Sequence, residues 1–151
     1  MSTGFIPYSC QEISEADIVA VTDLLRSDYL TQGPMGERFE HAFAKRHEVS
    51  HAVAVSNATA GLHLACLALG VGPNSLVWTS PNSFVSSANC ALFCGADIDF
   101  VDIDPSTRNM SLEALTAKLE AAGALGRLPD VVIPVDFAGL PCDDIFDFTQ
   151  F

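Results

Sequence analysis

The first third of the chain carries hydrophobic residues at helical spacing. Ser14 and Asp17 form a capping-box pattern, and apolar residues then recur every three or four positions. This pattern predicts a helix over about 15–27. After a turn-rich stretch, a second helical pattern places Phe39 and Phe43 on one face.

From residue 51 onward the pattern changes to short apolar segments that alternate with helical ones. The apolar segments are short and rich in β-branched residues, with apolar side chains for both faces, as in parallel strands covered by helices. We therefore predict an α/β fold with an open, mostly parallel sheet and right-handed crossovers. The predicted strands are 52–55, 76–79, 98–103 and 131–135, and the predicted helices are 57–69, 82–94 and 111–120.

Ligands of such sheets bind at the carboxyl ends of the strands, where the segments 56–60, 80–84 and 136–139 lie. The segment 56–60 is a run of small residues at a strand-to-helix junction. Free N–H groups of a first helical turn bind phosphate there, although Ser, Asn and Thr at this position are also ordinary helix caps. The sequence has neither GxGxxG nor a Walker A motif, which disfavours a dinucleotide or a nucleoside triphosphate.

Phe84 follows the second predicted strand and has two interpretations. An aromatic ring at this position is suited to lie flat on a conjugated ligand ring. The alternative is that Phe84 packs in the core, as a phenylalanine at a helix start usually does.

Composition and charge exclude several classes of function. The chain has 151 residues, 49% of them hydrophobic, and a net charge of −12, which argues against nucleic acid and anionic membranes as partners. No apolar run is long enough for a membrane span and no signal-peptide pattern is present, so we expect a cytoplasmic protein. The five cysteines form no CxxC pair, and the histidines have no ligand spacing, so we expect reduced, buried thiols and no metal site.

The last residues contain three phenylalanines and follow the fourth predicted strand directly. Because a parallel sheet needs helices on both faces, this ending suggests a truncated or frame-shifted chain. The alternative is a natural four-stranded domain that dimerises through its edge. The expected organisation is a helical segment with a substrate loop at 1–47, a partial large domain at 48–143 and an aberrant tail at 144–151.

Five motifs occur in order along the chain: LTQGP at 30–34, AVAVSNATA at 52–60, TSPNSFV at 79–85, FVDIDP at 100–105 and IPVDFAG at 133–139. Together they resemble the amino-terminal part of the DegT/DnrJ/EryC1/StrS sugar-nucleotide aminotransferases, which have the fold type I pyridoxal-phosphate architecture. Within that group, residues 6–8, 77–81 and 87–92 are most similar to the UDP-4-amino-4,6-dideoxy-N-acetyl-β-L-altrosamine transaminases of pseudaminic acid biosynthesis. The resemblance covers about 5–143.

The resemblance implies roles for individual residues. Ala58 and Thr59 match positions that hold the phosphate of pyridoxal 5'-phosphate, and Phe84 matches the aromatic residue that stacks on its ring. Asp136 stands where many members carry His, and we assign it no role. The positions that match the lining of the nucleotide-sugar pocket are Tyr8, Asp28, Tyr29, Leu30, Thr31 and Asn57.

The implied reaction transfers an amino group from glutamate to C4 of a UDP-linked 4-keto-6-deoxy-N-acetylhexosamine, in a homodimer when the protein is intact. It needs a Schiff-base lysine and a carboxylate on the ring nitrogen, which the family carries beyond the region matched here. Lys45 and Lys118 fall on helices away from the predicted strand ends, so we assign no catalytic residue and expect the chain alone to be inactive. Two alternatives stay open, a non-catalytic phosphate-binding module and a non-functional remnant.

Overall fold

The structure is a computed structural model that describes residues 9–142 and residue 145. Its contacts divide the chain into two compact units, Met1–Ala54 and Val55–Phe151. Tyr8 and the predicted tail, apart from Ile145, lie outside the described residues. Each unit is described by itself below.

The first unit contains the two predicted helices. Helix α1, Glu15–Leu25, begins with the predicted capping box, in which Ser14 and Asp17 each bond the other's backbone N–H. Helix α2, Pro34–Arg46, begins with proline at a first-turn position where no N–H partner is needed. Among the described residues of this unit only Ala44 is buried, so its apolar helix faces are left largely exposed.

The second unit is a three-layered α/β structure, as the sequence predicts. Its elements are α3 (Ala58–Ala68), β1 (Leu76–Thr79), α4 (Ser86–Phe93), β2 (Asp97–Phe100), α5 (Leu112–Ala124), β3 (Val131–Ile133) and a 3-10 turn (Phe137–Gly139). The strands are all parallel in the order β2-β1-β3, with Thr79 paired to Phe100 on one side and to Ile133 on the other.

The central strand β1 joins two cores because its side chains alternate between the sheet faces. Val77 packs with Cys66, Cys90 and Ala91 of α3 and α4, whereas Trp78 packs on the opposite face against α5. Trp78 forms a core cluster on that face with five other buried residues, Val101, Met110, Leu115, Leu119 and Ala122. Burial of β1 on both faces explains its continuous apolar sequence.

The predicted strand at 52–55 is wrong, because these residues have no regular structure. Val53 is 75% exposed and Val55 is 40% exposed, and neither belongs to a ladder. A strand is stabilised by its neighbour's hydrogen bonds, and no described strand lies beside this segment. The sheet of the described residues therefore has three strands.

Other boundaries differ from the prediction for identifiable reasons. Helix α4 begins at Ser86 rather than 82, because Pro81 to Val85 form a turn-rich connection. Strand β3 ends at Ile133 because Pro134 has no N–H for the ladder. Strand β2 ends at Phe100 and is an edge strand with exposed aspartates, so it is not apolar on both faces as predicted. Helix α5 runs on to Ala124.

Candidate functional site

The amino end of α3 offers free backbone donors. Asn57 is its N-cap, with an extended backbone, and its Oδ1 accepts from the N–H of Ala60 at 2.9 Å. The N–H of Gly61 donates to the Asn57 carbonyl at 3.2 Å. Within residues 9–142, the N–H groups of Ala58 and Thr59 donate to no other residue. Two donors at the positive end of the helix are thus available to an anion.

The side chains at these two donors are small. Ala58 is exposed and Thr59 half-buried, and neither projects a large group over the helix end. The Asn57 Nδ2 donates to the Ser56 hydroxyl at 3.2 Å, which fixes the cap in the extended geometry that precedes the helix. The cap satisfies one first-turn N–H and leaves its two neighbours open.

Phe84 lies on the connection between β1 and α4 with its ring 74% exposed. The alternative of a core phenylalanine is therefore wrong. The connection around it is held by polar contacts: the Asn82 N–H donates to the buried Ser80 hydroxyl at 3.3 Å, and the hydroxyls of Ser83 and Ser87 are 2.6 Å apart. A fixed backbone thus presents an aromatic face to solvent beside the carboxyl end of β1.

The segment after β3 is held by a residue that the sequence analysis did not identify. Asn109 is 6% exposed, and its Oδ1 accepts from the Phe137 N–H at 2.8 Å. Its Nδ2 donates to the carbonyls of Leu140 at 2.9 Å and Pro141 at 3.2 Å. Nothing in the local pattern separates Asn109 from an ordinary loop asparagine, because its partners are about thirty residues away.

The carboxyl ends of β1 and β3 are also joined directly. The Thr79 hydroxyl donates to the Ile133 carbonyl at 2.9 Å, and Thr79 is buried. Beyond β3, Asp136 Oδ1 accepts from the Cys142 N–H at 2.9 Å. Asp136 thus has a local structural partner, which explains an acidic side chain here without a ligand.

The predicted substrate loop lies in the first unit, between α1 and α2. Asp28 and Tyr29 line a cavity of about 480 Å³ that also includes Arg38, and Tyr29 and Leu30 line a second one of about 500 Å³. Thr31 lines neither of these cavities. Gly33 is required next to the loop, because a Cβ there would lie 2.6 Å from the Tyr29 Cβ. Asn57, the remaining described position of this group, belongs to the second unit.

Lys118 lies nearer a strand end than predicted. Its Nζ is 2.7 Å from the Asp99 carboxylate, donates to the carbonyl of Phe100 at the end of β2, and lies 4.7 Å from the Trp78 ring centroid. The ion pair lowers the pKa of Asp99 from its usual value. Lys118 thus has structural partners in Asp99 and Phe100. Lys45 lies in the last turn of α2.

The cysteine prediction is correct in part. All five cysteines are free, and Cys66, Cys90 and Cys142 are buried, but Cys10 is exposed. Burial, together with Cys90, raises the pKa of Cys66 to about 11, so this thiol is protonated and unreactive at neutral pH. Across the described part of the chain, no group of His, Cys, Asp and Glu is arranged to hold a metal ion. Likewise, no helix among those residues has the length and apolar character needed to cross a bilayer.

The three parallel strands with helices on both faces define a class of α/β protein with a parallel sheet, a class in which ligands generally bind at the carboxyl edge. Comparison with known families then narrows this class. Residues 11–148 match the DegT/DnrJ/EryC1/StrS aminotransferase family, and the chain belongs to that family.

Individual relatives support the same assignment. The chain is 42% identical over 139 residues to the spore coat polysaccharide biosynthesis protein SpsC of Bacillus subtilis, covering 92% of this chain and 34% of SpsC. A DegT DnrJ EryC1 StrS aminotransferase from Brucella abortus superposes with a TM-score of 0.80 at 30% identity, over 88% of this chain and 36% of its own.

Spr1654 of Streptococcus pneumoniae, in its PLP form, also gives a TM-score of 0.80 at 31% identity, over 94% of this chain and 35% of its own. A PMP form of Spr1654 matches as well. The chain spans about a third of the length of the relatives it matches. The predicted α/β fold with a parallel sheet and flanking helices is confirmed.

Proposed function

We propose that this chain supplies the cofactor-phosphate cradle and the ring-stacking face of a pyridoxal-phosphate-dependent sugar aminotransferase. The reaction we propose for the whole protein, acting as a homodimer, moves an amino group from glutamate to C4 of a UDP-linked 4-keto-6-deoxy-N-acetylhexosamine. Pseudaminic acid biosynthesis is the pathway that the sequence resemblance favours. The observation that carries the proposal is the pair of free N–H groups at Ala58 and Thr59.

The proposal that the cofactor phosphate binds at the start of α3 is supported by charge and by steric considerations. Helix α3 packs on α4 and is followed in the chain by the amino end of β1. The proposal places its first turn at the carboxyl edge of the sheet, where ligands of parallel sheets bind. The chain has a net charge of −12, so an anion must be bound by local donors rather than by the overall field. Backbone N–H groups at a helix start provide such donors without adding a charged side chain.

The ring end rests on Phe84. A large exposed aromatic on a connection held by the contacts of Ser80 and Asn82 is suited to stack on a flat heteroaromatic ring. When bound, pyridoxal phosphate supplies an electron sink for the carbon that loses its proton. The role proposed for Phe84 is to hold that ring in one plane and to cover one of its faces from water.

The sugar-nucleotide end rests on the loop between α1 and α2. Asp28, Tyr29 and Leu30 line its cavities, and Arg38 provides a cation beside them. The relative SpsC is named for polysaccharide biosynthesis, which favours a sugar substrate. The choice of UDP and of the particular hexosamine follows from the resemblance at residues 6–8, 77–81 and 87–92.

We expect the chain by itself to bind the cofactor without turning over. Its only lysines are Lys45 and Lys118. The Lys118 ammonium is engaged by Asp99, the Phe100 carbonyl and the Trp78 ring. Covalent anchoring and proton transfer at the reacting carbon therefore need a lysine that this chain does not provide.

Pyridoxamine 5'-phosphate tests the cradle because it has the phosphate and the ring but no aldehyde to label surface amines. Trp78 is the single tryptophan and lies in β1, so quenching of its fluorescence reports binding near the strand end. We expect saturable quenching that inorganic phosphate competes away, and much weaker binding of pyridoxamine, which lacks the phosphate. Equal binding of both compounds would refute the cradle.

A separate titration tests the sugar-nucleotide end. UDP-N-acetylglucosamine serves as a stable probe, and GDP-mannose is the matched control. We expect amide shifts in the nuclear magnetic resonance spectrum at Asp28 to Thr31 with the UDP compound only. Equal shifts with both probes would contradict the choice of nucleotide, and no shift with either would contradict the site.

A further inference from the structure

We infer that Asn109 is a positioning residue that fixes the loop after β3 against the connection carrying Phe84. This inference deepens the proposed function and rests on it for its link to the cofactor. In this role, the buried side-chain amide of Asn109 sets the geometry of two loops at the carboxyl edge of the sheet.

Both polar atoms of the Asn109 side-chain amide form hydrogen bonds. The Oδ1 accepts from the Phe137 N–H, and the Nδ2 donates to the carbonyls of Leu140 and Pro141, at distances between 2.8 and 3.2 Å. Because the residue is 6% exposed, water does not compete for these bonds. An amide is the side chain that donates to carbonyls and accepts from an N–H at the same point.

The loop that Asn109 holds has a backbone that needs external support. Ala138 has φ of 53° and Gly139 has φ of 82°, both in the left-handed region. For alanine this conformation is unfavourable, so it persists where neighbouring contacts impose it. The bonds from Asn109 to Phe137 and Leu140 lie on either side of this pair and impose it.

The same short stretch of chain is bound to the Phe84 connection. Asn82 Nδ2 donates to the carbonyl of Arg108, the residue before Asn109, at 3.3 Å. Arg108 itself has φ of 68°, which turns its carbonyl and the following asparagine in the directions these bonds require. The connection 80–85 and the loop 136–141 are therefore joined through two consecutive residues.

The pairing of β1 with β3 places the two linked loops beside each other, next to the proposed position of the cofactor ring. Thr79 and Ile133 are register partners, and the Thr79 hydroxyl donates to the Ile133 carbonyl. The two loops thus leave the sheet side by side. A shift of the loop after β3 is transmitted through Arg108 and Asn82 to the backbone that presents Phe84.

Two substitutions of Asn109 distinguish an effect on the positions of the two loops from a general loss of stability. Asn109→Asp keeps the shape and the acceptor but removes the donor and places a carboxylate against two carbonyls. Asn109→Ser removes the amide without adding charge. Asn89→Asp is the matched control, because Asn89 is a half-buried asparagine of α4 whose side chain bonds to no other described residue.

The first measurement is hydrogen exchange and needs no ligand. We expect Asn109→Ser to raise amide exchange by about tenfold in 137–142 and also in 82–85, corresponding to about 1.4 kcal/mol of lost protection, whereas Asn89→Asp changes neither segment. Unchanged exchange at 82–85 would overturn the inference, whatever the protein binds.

The second measurement is pyridoxamine 5'-phosphate affinity, read from Trp78 fluorescence at two pH values. We expect Asn109→Asp to bind about tenfold more weakly than the unsubstituted chain at pH 8 and within about twofold of it at pH 5, where a protonated carboxyl donates again. Asn109→Ser is expected to stay weak at both values. The unsubstituted chain, measured at each pH, corrects for the other titratable groups around the site, Asp104, Arg108, Asp136 and Cys142.

The outcomes distinguish the two claims. If the unsubstituted chain does not bind the probe, the proposed function fails, and the exchange data alone decide the role of Asn109. If it binds, and the Asn109 variants bind equally well, the positioning role is wrong and the cradle stands. An affinity loss in Asn109→Asp that does not recover at pH 5 also overturns the role.

Discussion

Replacing Phe84 with leucine tests the stacking role most selectively. The ring is 74% exposed, so about a quarter of its surface contacts the protein. An exposed position of this kind changes the free energy of unfolding by less than about 0.5 kcal/mol on substitution. A loss of binding in Phe84→Leu therefore reports a missing ligand contact rather than a damaged fold.

The size of the loss follows from the geometry of aromatic stacking. A stacked pair contributes about 0.5–1.5 kcal/mol beyond the area it buries. Because 1.4 kcal/mol corresponds to a factor of ten in affinity, we expect pyridoxamine 5'-phosphate to bind roughly 2- to 12-fold more weakly. The phosphate contacts at Ala58 and Thr59 are untouched, so inorganic phosphate is expected to bind equally well to both proteins.

The assay is the Trp78 fluorescence titration, with urea unfolding measured in parallel. Phe93→Leu is the matched control, because Phe93 is a 56% exposed phenylalanine of α4 that packs edge-on against His63. We expect this control to leave affinity unchanged. An unchanged affinity in Phe84→Leu, or an equal loss in both variants, would refute the stacking role.

Three further predictions concern the cap and two titrating groups. Asn57→Ala removes the cap of α3 and should lower the free energy of unfolding by about 1 kcal/mol in urea titrations; an unchanged value would contradict the cap. Lys118 lowers the native pKa of Asp99, so their bond stabilises the fold fully above the ordinary carboxyl range and stops doing so as the pH falls through the lowered pKa. The resulting decrease in the free energy of unfolding is below about 1 kcal/mol, because the pair is exposed. In acid titrations this decrease should be absent from Asp99→Asn. Cys66 has a raised pKa of about 11, so its neutral thiol stabilises the fold fully below about pH 8.5, and this contribution is lost as the pH rises toward 11. In alkaline unfolding titrations, Cys66→Ala should not show this loss of stability. An identical pH dependence in the two proteins would contradict burial of Cys66 as a thiol.

Sequence patterning predicted the elements whose signals are local. The capping box at Ser14 and Asp17 sets the start of α1, and the apolar run Leu76–Thr79 becomes the buried strand β1. The start of α3 was also predictable, because Asn57 followed by small residues is a local cap signal. These features depend on neighbours within a few residues.

The features that the sequence did not predict depend on distant residues. The apolar segment 52–55 resembles a strand, yet a strand forms only where another backbone pairs with it. Asn109 resembles a loop asparagine until the fold brings Phe137, Leu140 and Pro141 to it. Phe84 has two interpretations in the sequence, a ligand-stacking ring and a core residue, and the exposure that decides between them depends on the contacts of the whole connection.

In the proposed function, the first turn of α3 binds a phosphate ester with its backbone N–H groups. The most direct measurement is a proton–nitrogen correlation spectrum of the chain, titrated with pyridoxamine 5'-phosphate. We predict that the Ala58 and Thr59 amides move most and move downfield, as N–H groups do when they gain a charged acceptor, while the Ala60 amide, already bonded to Asn57, moves less. Saturable binding that leaves the Ala58 and Thr59 amides unmoved would contradict the claim.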